Sequence, residues 1–132
     1  MGRYILILTI LLLGISSLFA CAPIPREYGT LEGLVTIGHL QPVHQEGEVE
    51  PTPPPEVYAA REVIVYNENG KTVFTRVSIG PNGSYRAELP VGIYMVDINH
   101  LGIDTAADLP KKIKITAQTV TFLDISIDTG IR

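Results

Sequence analysis

Apolar and polar residues alternate along most of the chain after residue 30, which is the period-two pattern of half-buried β-strands. Turn residues separate most of the alternating segments, and no stretch after residue 21 has the periodicity of an amphipathic helix. The pattern therefore predicts seven short strands and no helix in this part of the chain. The predicted strands cover residues 31–37, 60–66, 71–79, 84–89, 93–98, 112–117 and 119–128.

Residues 82–96 carry this pattern most clearly and predict a turn, a strand, a second turn and a second strand. Asn82 and Gly83 tolerate a positive φ angle, so they can close a tight hairpin. Pro90 ends the first strand because it has no N–H to donate to a neighbouring strand. Gly92 opens the second strand, and if it adopts a positive φ angle a valine there should be destabilising.

The strand predicted at 71–79 has one irregular position. Val73, Val77 and Ile79 share an apolar face, whereas Phe74 interrupts the polar pattern of the other face. Residues 100–110 have no alternation and predict a loop or a single helical turn.

The last two predicted strands place aliphatic side chains on one face and charged side chains on the other. Lys112 or Lys114 is expected to pair across the ladder with Asp124. Seven such strands fit a sandwich or a barrel, and a two-sheet sandwich is the economical solution for roughly 110 residues. The expected fold is an all-β, seven-stranded antiparallel β-sandwich after an N-terminal hydrophobic segment. The residues expected to face its core from the last two strands are Ile113, Ile115, Leu123, Ile125 and Ile127.

The N-terminal segment has no alternation, because a short basic start is followed by a nearly unbroken apolar run over residues 4–13. Its end, Leu18-Phe19-Ala20-Cys21, resembles the lipobox of bacterial lipoprotein signal peptides. The resemblance implies cleavage before Cys21 and lipid attachment at its thiol, with residues 1–20 as signal peptide and 21–29 as lipidated cysteine and tether. An ordinary secretory signal and an uncleaved membrane helix are the alternatives. All three place the rest of the chain outside the cytoplasm.

Charge and cysteine content narrow the function classes. The formal net charge is −4, and the acidic excess grows without residues 1–20, in which Arg3 is the one charged residue. This balance argues against nucleic-acid binding and against electrostatic attraction to anionic lipid. Cys21 is the single cysteine, so the chain has no internal disulfide.

The segment 38–56 differs from the rest because it lacks aromatic residues, clusters acids and ends in a proline run at 51–55 that favours polyproline II. Two interpretations stay open: a surface loop that recognises a partner, or a solvated loop without a role. The residues assigned to partner binding under the first interpretation are His39, His44, Glu46, Glu48, Glu50, Pro53, Pro54 and Pro55.

The stretches 82–85, Asn-Gly-Ser-Tyr, and 89–96, Leu-Pro-Val-Gly-Ile-Tyr-Met-Val, resemble the signature of carboxypeptidase regulatory-like domains. The start of the first strand, Leu-Glu-Gly-Leu-Val-Thr at 31–36, resembles theirs as well. These domains are transthyretin-like (prealbumin-like) seven-stranded sandwiches, related to collagen-adhesin B-type repeats. The resemblance implies that 30–132 is a non-catalytic accessory domain, of a kind that in some cases binds sugar or protein. The adhesin-type Lys–Asn isopeptide bond is not expected, because residues 31–37 contain no lysine.

Candidate catalytic chemistry is sparse. His39, His44 and His100 are the only histidines, and a metal site with Asp97 or Asp104 would match no known ligand spacing. No calcium loop, nucleophile motif or phosphate-binding loop is present. No catalytic residue, cofactor or metal is therefore predicted, and the chain is not expected to be an enzyme.

Together these features predict a non-catalytic, lipid-anchored β-sandwich module outside the cytoplasm, attached to the bacterial cell membrane. It would bind or present at the cell envelope, with a protein or a carbohydrate as its partner. The alternatives are a structural envelope lipoprotein without a ligand and a small metal-dependent enzyme.

Overall fold

The computed structural model describes residues 21–38, 40, 47, 49 and 51–131. Within these residues the chain forms eight β-strands and one five-residue helix. In chain order the elements are β1 Tyr28–Gly38, α1 Pro55–Ala59, β2 Glu62–Asn67, β3 Val73–Ser78, β4 Ser84–Pro90, β5 Gly92–Ile98, β6 Lys111–Ile115, β7 Val120–Phe122 and β8 Ile125–Asp128.

The strands form two sheets. In the first sheet β1 is central, and β4 pairs with it antiparallel on one side. On the other side two short strands pair with β1 in parallel, β7 along its first half and β8 along its second half. The second sheet has the order β3-β2-β5-β6 and is antiparallel throughout. The core consists of the side chains that the two sheets bury, which confirms the all-β sandwich expected from the sequence.

The inward faces follow the predicted alternation. The five aliphatic residues expected in the core from the last two predicted strands are all 8% exposed or less: Ile113, Ile115, Leu123, Ile125 and Ile127. Tyr85 is 3% exposed and donates its hydroxyl to the carbonyl oxygen of Leu123. Tyr94 donates its hydroxyl to the carbonyl oxygen of Pro90 at 2.8 Å. Both rings therefore pack in the core while their hydroxyls keep hydrogen-bond partners.

The stretch 82–96 is not a hairpin, which corrects the sequence-based expectation. Gly83 has a positive φ angle of 86° and its N–H donates to Gly80 at 2.9 Å, so the predicted turn forms. However, this turn connects β3 to β4, which lie in different sheets, and Val91 then carries the chain back from β4 to β5. Gly92 does not adopt a positive φ angle, so the reason for expecting a destabilising valine there does not hold.

The last predicted strand is two strands, so the sandwich has eight strands and a mixed first sheet. Asp124 interrupts the ladder between β7 and β8, where its Oδ1 accepts a hydrogen bond from the backbone N–H of Leu34 at 2.9 Å. The predicted ladder pair of Lys112 or Lys114 with Asp124 is wrong, because β6 belongs to the second sheet.

Phe74 marks a register shift between β2 and β3. Val65 pairs with Thr75, whereas the next residue, Tyr66, pairs with Val73, so Phe74 is an extra residue. The shift turns Val73 away from the face of Val77, leaving Val73 41% exposed, against the prediction that the two share a face.

The short helix α1 was not predicted. Pro54 precedes it with φ −66° and ψ 156°, the polyproline II region expected there, whereas Pro55 begins the helix. Tyr58 of α1 is 5% exposed and contributes to the core. Residues 99–110 form a loop, as expected, and Thr105 in it pairs with Asp128.

The strand register defines two ends of the sandwich. Tyr28 pairs with Pro90, and Gly92 pairs with Ile115, so the tether end holds residues 21–27, Val91 and the turns at 68–72 and 116–119. The loop end holds the chain after Gly38, α1, the turn at 79–83 and the loop at 99–110.

Candidate functional site

The partner-binding residues predicted in segment 38–56 lie at the loop end as far as the structure describes them. Pro53 is half-buried, and Pro54, which precedes α1, and Pro55, its first residue, are both exposed. Val49 is 89% exposed. His39, His44, Glu46, Glu48 and Glu50 lie outside the described residues.

An ion pair between Arg61 and Asp104 connects two elements of the loop end. The guanidinium of Arg61 contacts Asp104 through two bonds, Nε to Oδ2 at 2.7 Å and Nη2 to Oδ1 at 3.2 Å. Its Nη1 donates to the carbonyl oxygen of Val57 in α1 at 2.8 Å. The side chains of Arg61 and Asp104 are only 12% and 5% exposed. Arg61 therefore joins α1 to the loop at 99–110, and sequence reasoning missed it because no local pattern links the two residues.

His100, in the same loop, lies between an acceptor on Asp97 of β5 and an acceptor on Asp104 of the loop. Its Nδ1 is 3.1 Å from the backbone oxygen of Asp104, and its Nε2 is 2.9 Å from Oδ1 of Asp97. A neutral imidazole has one N–H, so only the protonated ring can donate to both. The hydrogen bond to Asp104 and the nearby Asp97 charge therefore raise the pKa of His100, although partial burial opposes them.

The metal site weighed in the sequence analysis would combine a histidine with Asp97 or Asp104, and the structure brings together only part of this set. His100 does contact Asp97, but the carboxylate of Asp104 is bound to Arg61. Among the described residues, no group of three or more histidine, cysteine, aspartate or glutamate side chains is arranged to hold a metal ion.

A groove of about 650 Å³ crosses the outer face of the first sheet. Phe122, 73% exposed, and Leu34, 45% exposed, supply its apolar surface. Arg86 and Glu32 form an ion pair beside them, with Nη1 and Oε2 3.0 Å apart. Beneath the groove, burial and the nearby Asp124 carboxylate raise the pKa of the Tyr85 hydroxyl. The sequence indicated this groove only through Leu34 and Phe122, which are apolar residues at outward-facing positions of alternating strands.

The tether end carries the predicted lipid attachment residue. Cys21 is exposed, and residues 21–27 have no regular structure and are exposed throughout. The backbone oxygen of Glu27 accepts a hydrogen bond from the N–H of Val91 at 2.9 Å, which fixes the end of the tether against the sandwich. In the described part of the chain, no helix has the length and apolarity required to cross a membrane.

The arrangement defines a two-sheet β-sandwich domain with an extended arm at one end and a long connection at the other. No protein-family profile and no curated protein matches the chain. Several solved structures share its fold.

The minor pilin GBS52 of Streptococcus agalactiae has a TM-score of 0.55 and 14% identity, over 80% of this chain and 46% of the pilin. The TIE protein of Bacillus anthracis has a TM-score of 0.50 and 19% identity, over 77% of this chain and 16% of that protein. A DUF3823 family protein of Parabacteroides merdae has a TM-score of 0.47 and 15% identity, over 78% and 47% of the two chains. The chain thus spans less than half the length of each of these proteins, and the first two similarities are similarities of fold.

Proposed function

We propose that the chain is a lipid-anchored presentation module of the bacterial cell envelope. Cys21 carries the lipid, the sandwich acts as a rigid spacer, and the acidic, proline-rich segment 38–56 contacts a protein partner. The observation that supports this proposal is that the tether and the segment leave opposite ends of one strand. β1 has eleven residues, which at the usual rise of a strand span roughly 33 Å.

Both flanks of the segment are attached to the folded core. Gly38 pairs with Asp128, and its carbonyl oxygen accepts a hydrogen bond from Oγ1 of Thr129 at 3.1 Å. On the other side, Pro54 leads into α1, which Arg61 joins to Asp104. A connection held at both ends loses less conformational entropy when a partner binds it.

The chemistry of the segment indicates the class of partner. Its prolines favour an extended backbone whose polar groups remain open, and its acids favour a partner with basic side chains. A protein surface that combines an aromatic-lined groove with basic residues fits both properties.

A second candidate function is carbohydrate binding in the groove of the first sheet. The exposed Phe122 ring offers an apolar platform, and the Arg86–Glu32 pair offers a donor and an acceptor beside it. Phe122→Ala should abolish binding to a glycan array if this groove is the site, and leave capture of the protein partner unchanged.

The anchoring step is tested by expressing the full chain in a bacterial host supplied with an alkyne-bearing fatty acid. Wild type should become labelled and float with the membrane fraction, whereas Cys21→Ser should lose the label. An unlabelled wild-type chain would contradict lipid attachment.

The presentation step is tested by capture from envelope extracts with residues 22–132. Residues 41–52 are replaced by a Gly-Ser linker of equal length, which leaves Pro54 and α1 intact. The replacement should lose the partner without a change in melting temperature. A matched variant with Glu46, Glu48 and Glu50 changed to glutamine retains the prolines and separates the effect of charge from that of backbone shape. Retention of the partner by the linker variant would exclude residues 41–52 as the site and contradict the proposal that the acids of the segment contact the partner.

A further inference from the structure

We propose that the tether end of the sandwich is a membrane-contacting surface that rests on the lipid bilayer. This inference rests on the proposed anchoring of the chain next to Cys21. The surface, here called the tether-end patch, consists of Ile24, Tyr28, Phe74 and Val91. Its occupant is the interfacial layer of a phospholipid membrane.

The tether-end patch exposes four large apolar side chains close together. Ile24 is 88% exposed, Tyr28 49%, Val91 45% and Phe74 42%. Ile24, Phe74 and Val91 line a groove of about 880 Å³, and Tyr28 lies beside it because it pairs with Pro90. Clustered exposed apolar side chains of this kind mark contact surfaces, and aromatic rings are favoured at the membrane interface.

The structure holds Phe74 in position at this surface. Its ring packs edge-on against Tyr94, with ring centroids 5.2 Å apart and planes at 62°. Tyr94 is 6% exposed and its hydroxyl is bonded to Pro90, so it forms a fixed support. Phe74 is the extra residue of the β2–β3 register shift, and it lines the groove together with Ile24 and Val91.

The tether keeps the bilayer within reach of this patch. The backbone oxygen of Glu27 is hydrogen-bonded to Val91, and the six residue-to-residue steps from Cys21 to Glu27 span at most roughly 20 Å when extended. The apolar residues 4–13 lie on the far side of Cys21. With the lipid on Cys21, as proposed above, the membrane surface lies within that distance of Val91.

The distribution of charge also favours an orientation in which the tether end faces the bilayer. Exposed charged residues of both signs lie at the tether end, among them Arg26 and Lys71 on one side and Glu27 and Glu68 on the other. The acidic segment 38–56 leaves from the opposite end, so an anionic surface repels the loop end rather than the tether end. Four apolar side chains bind a bilayer weakly by themselves, and the contact therefore depends on the high effective concentration that the tether provides.

The composition of the chain makes the contact measurable. The protein has no tryptophan and one cysteine, so a single introduced tryptophan is an unambiguous fluorescent probe. The buried core lies between Leu31 and Ile127, so a domain that starts at Cys21 contains all of it. Coupling the exposed Cys21 thiol to a maleimide lipid anchors this domain without biological lipidation.

The experiment compares Phe74→Trp with Ile103→Trp, a 69% exposed control at the loop end. Both are coupled to phosphatidylcholine vesicles whose acyl chains carry bromine as a quencher. Phe74→Trp should lose about half of its emission, because an interfacial ring lies close to the acyl chains, whereas Ile103→Trp should be unaffected. Adding Ile24→Ser and Val91→Ser should restore the emission at position 74, with the melting temperature as the check on folding.

Equal emission with brominated and ordinary lipid at position 74 would overturn the inference. A concentration-dependent blue shift of Phe74→Trp without vesicles would assign the patch to a second copy of the chain and overturn it as well. Because the maleimide replaces the biological lipid, neither result depends on whether Cys21 is acylated in the cell, which the labelling experiment decides separately.

Discussion

Gly33 of β1 faces the backbone of Leu123 so closely that a β-carbon at position 33 would overlap the carbonyl oxygen of Leu123. The same oxygen accepts the hydroxyl of Tyr85, and the N–H of Leu123 donates to Glu32 at 2.9 Å. This contact lies where β7 ends and β8 has not yet begun. Gly33 therefore allows the break between these strands to pack directly on the central strand.

Gly33→Ala should lower the free energy of unfolding by about 1–3 kcal/mol, since the backbone at Leu123 must move to admit the added carbon. Gly38→Ala is the matched control on the same strand, because the nearest atom to its added carbon is 3.8 Å away. Urea denaturation of both variants measures the difference. Equal free energies of unfolding for Gly33→Ala and Gly38→Ala would contradict the prediction, because the Leu123 backbone would then move without a loss of stability.

Asp124→Asn should leave stability nearly unchanged, whereas Asp124→Leu should cost about 0.5–1.5 kcal/mol. The reason is that the Leu34 N–H needs an acceptor rather than a charge, and an amide oxygen supplies one. Amide hydrogen exchange at Leu34 reports the bond directly. Faster exchange in the asparagine variant would indicate that the charge of Asp124 matters.

Arg61→Leu should be among the most damaging single changes, at about 3–5 kcal/mol, because it leaves the buried Asp104 carboxylate without its counter-ion. Arg76→Leu is the control, since Arg76 and Glu62 form an exposed pair at 3.2 Å whose loss should cost at most about 1 kcal/mol. Thermal unfolding measures both. The double variant Arg61→Leu, Asp104→Leu should recover part of the loss, and a purely additive result would contradict the coupling.

His100 should make stability depend on pH. Its pKa is raised in the folded state, so its contribution is fully present below the unfolded value of about 6.5 and is lost as the pH rises through the folded value. The advantage of wild type over His100→Asn should therefore be largest in mildly acidic solution and decrease to a constant value as the pH rises through the folded-state pKa. Asparagine suits this test because it tolerates the positive φ angle of 23° at this position.

Proton NMR of the histidine rings checks the same prediction, with His100 assigned by its absence from the His100→Asn spectrum. Asp97→Asn should lower the pKa of His100, because it removes the nearby negative charge while retaining an acceptor for Ile98. An unchanged titration in that variant would contradict the role given to Asp97.

The alternation of residues predicted which side chains are buried but not which strands are neighbours. Ile113 and Ile115 face the core as expected, since period-two patterning depends only on the two sides of one strand. The same pattern could not show that β4 and β5 lie in different sheets, because a short turn can close a hairpin or cross between sheets. Sequence proximity favoured the hairpin, and the pairing of β4 with β1 overrode it.

The sequence contained indications of two further features that the strand prediction did not include, the bulge at Phe74 and the helix α1. Phe74 is an apolar exception on the polar face of its predicted strand, and such an exception is how a bulge appears in a sequence. Pro55 and Glu56 suit the first turn of a helix, but five residues are too few to show a helical period. The Arg61–Asp104 pair had none, because its partners are 43 residues apart.

The position of β1 between the tether and segment 38–56 has a mechanical consequence. In the proposed arrangement, a partner that pulls on the segment away from the membrane would apply force to the chain just after Gly38, while the lipid anchor would hold the chain just before Tyr28. The covalent backbone of one eleven-residue strand joins these two points. Tension between the proposed partner and the proposed anchor would therefore run along β1 to Cys21 without shearing one strand past another, and the hydrogen bonds of the sandwich would not need to break for the link to hold.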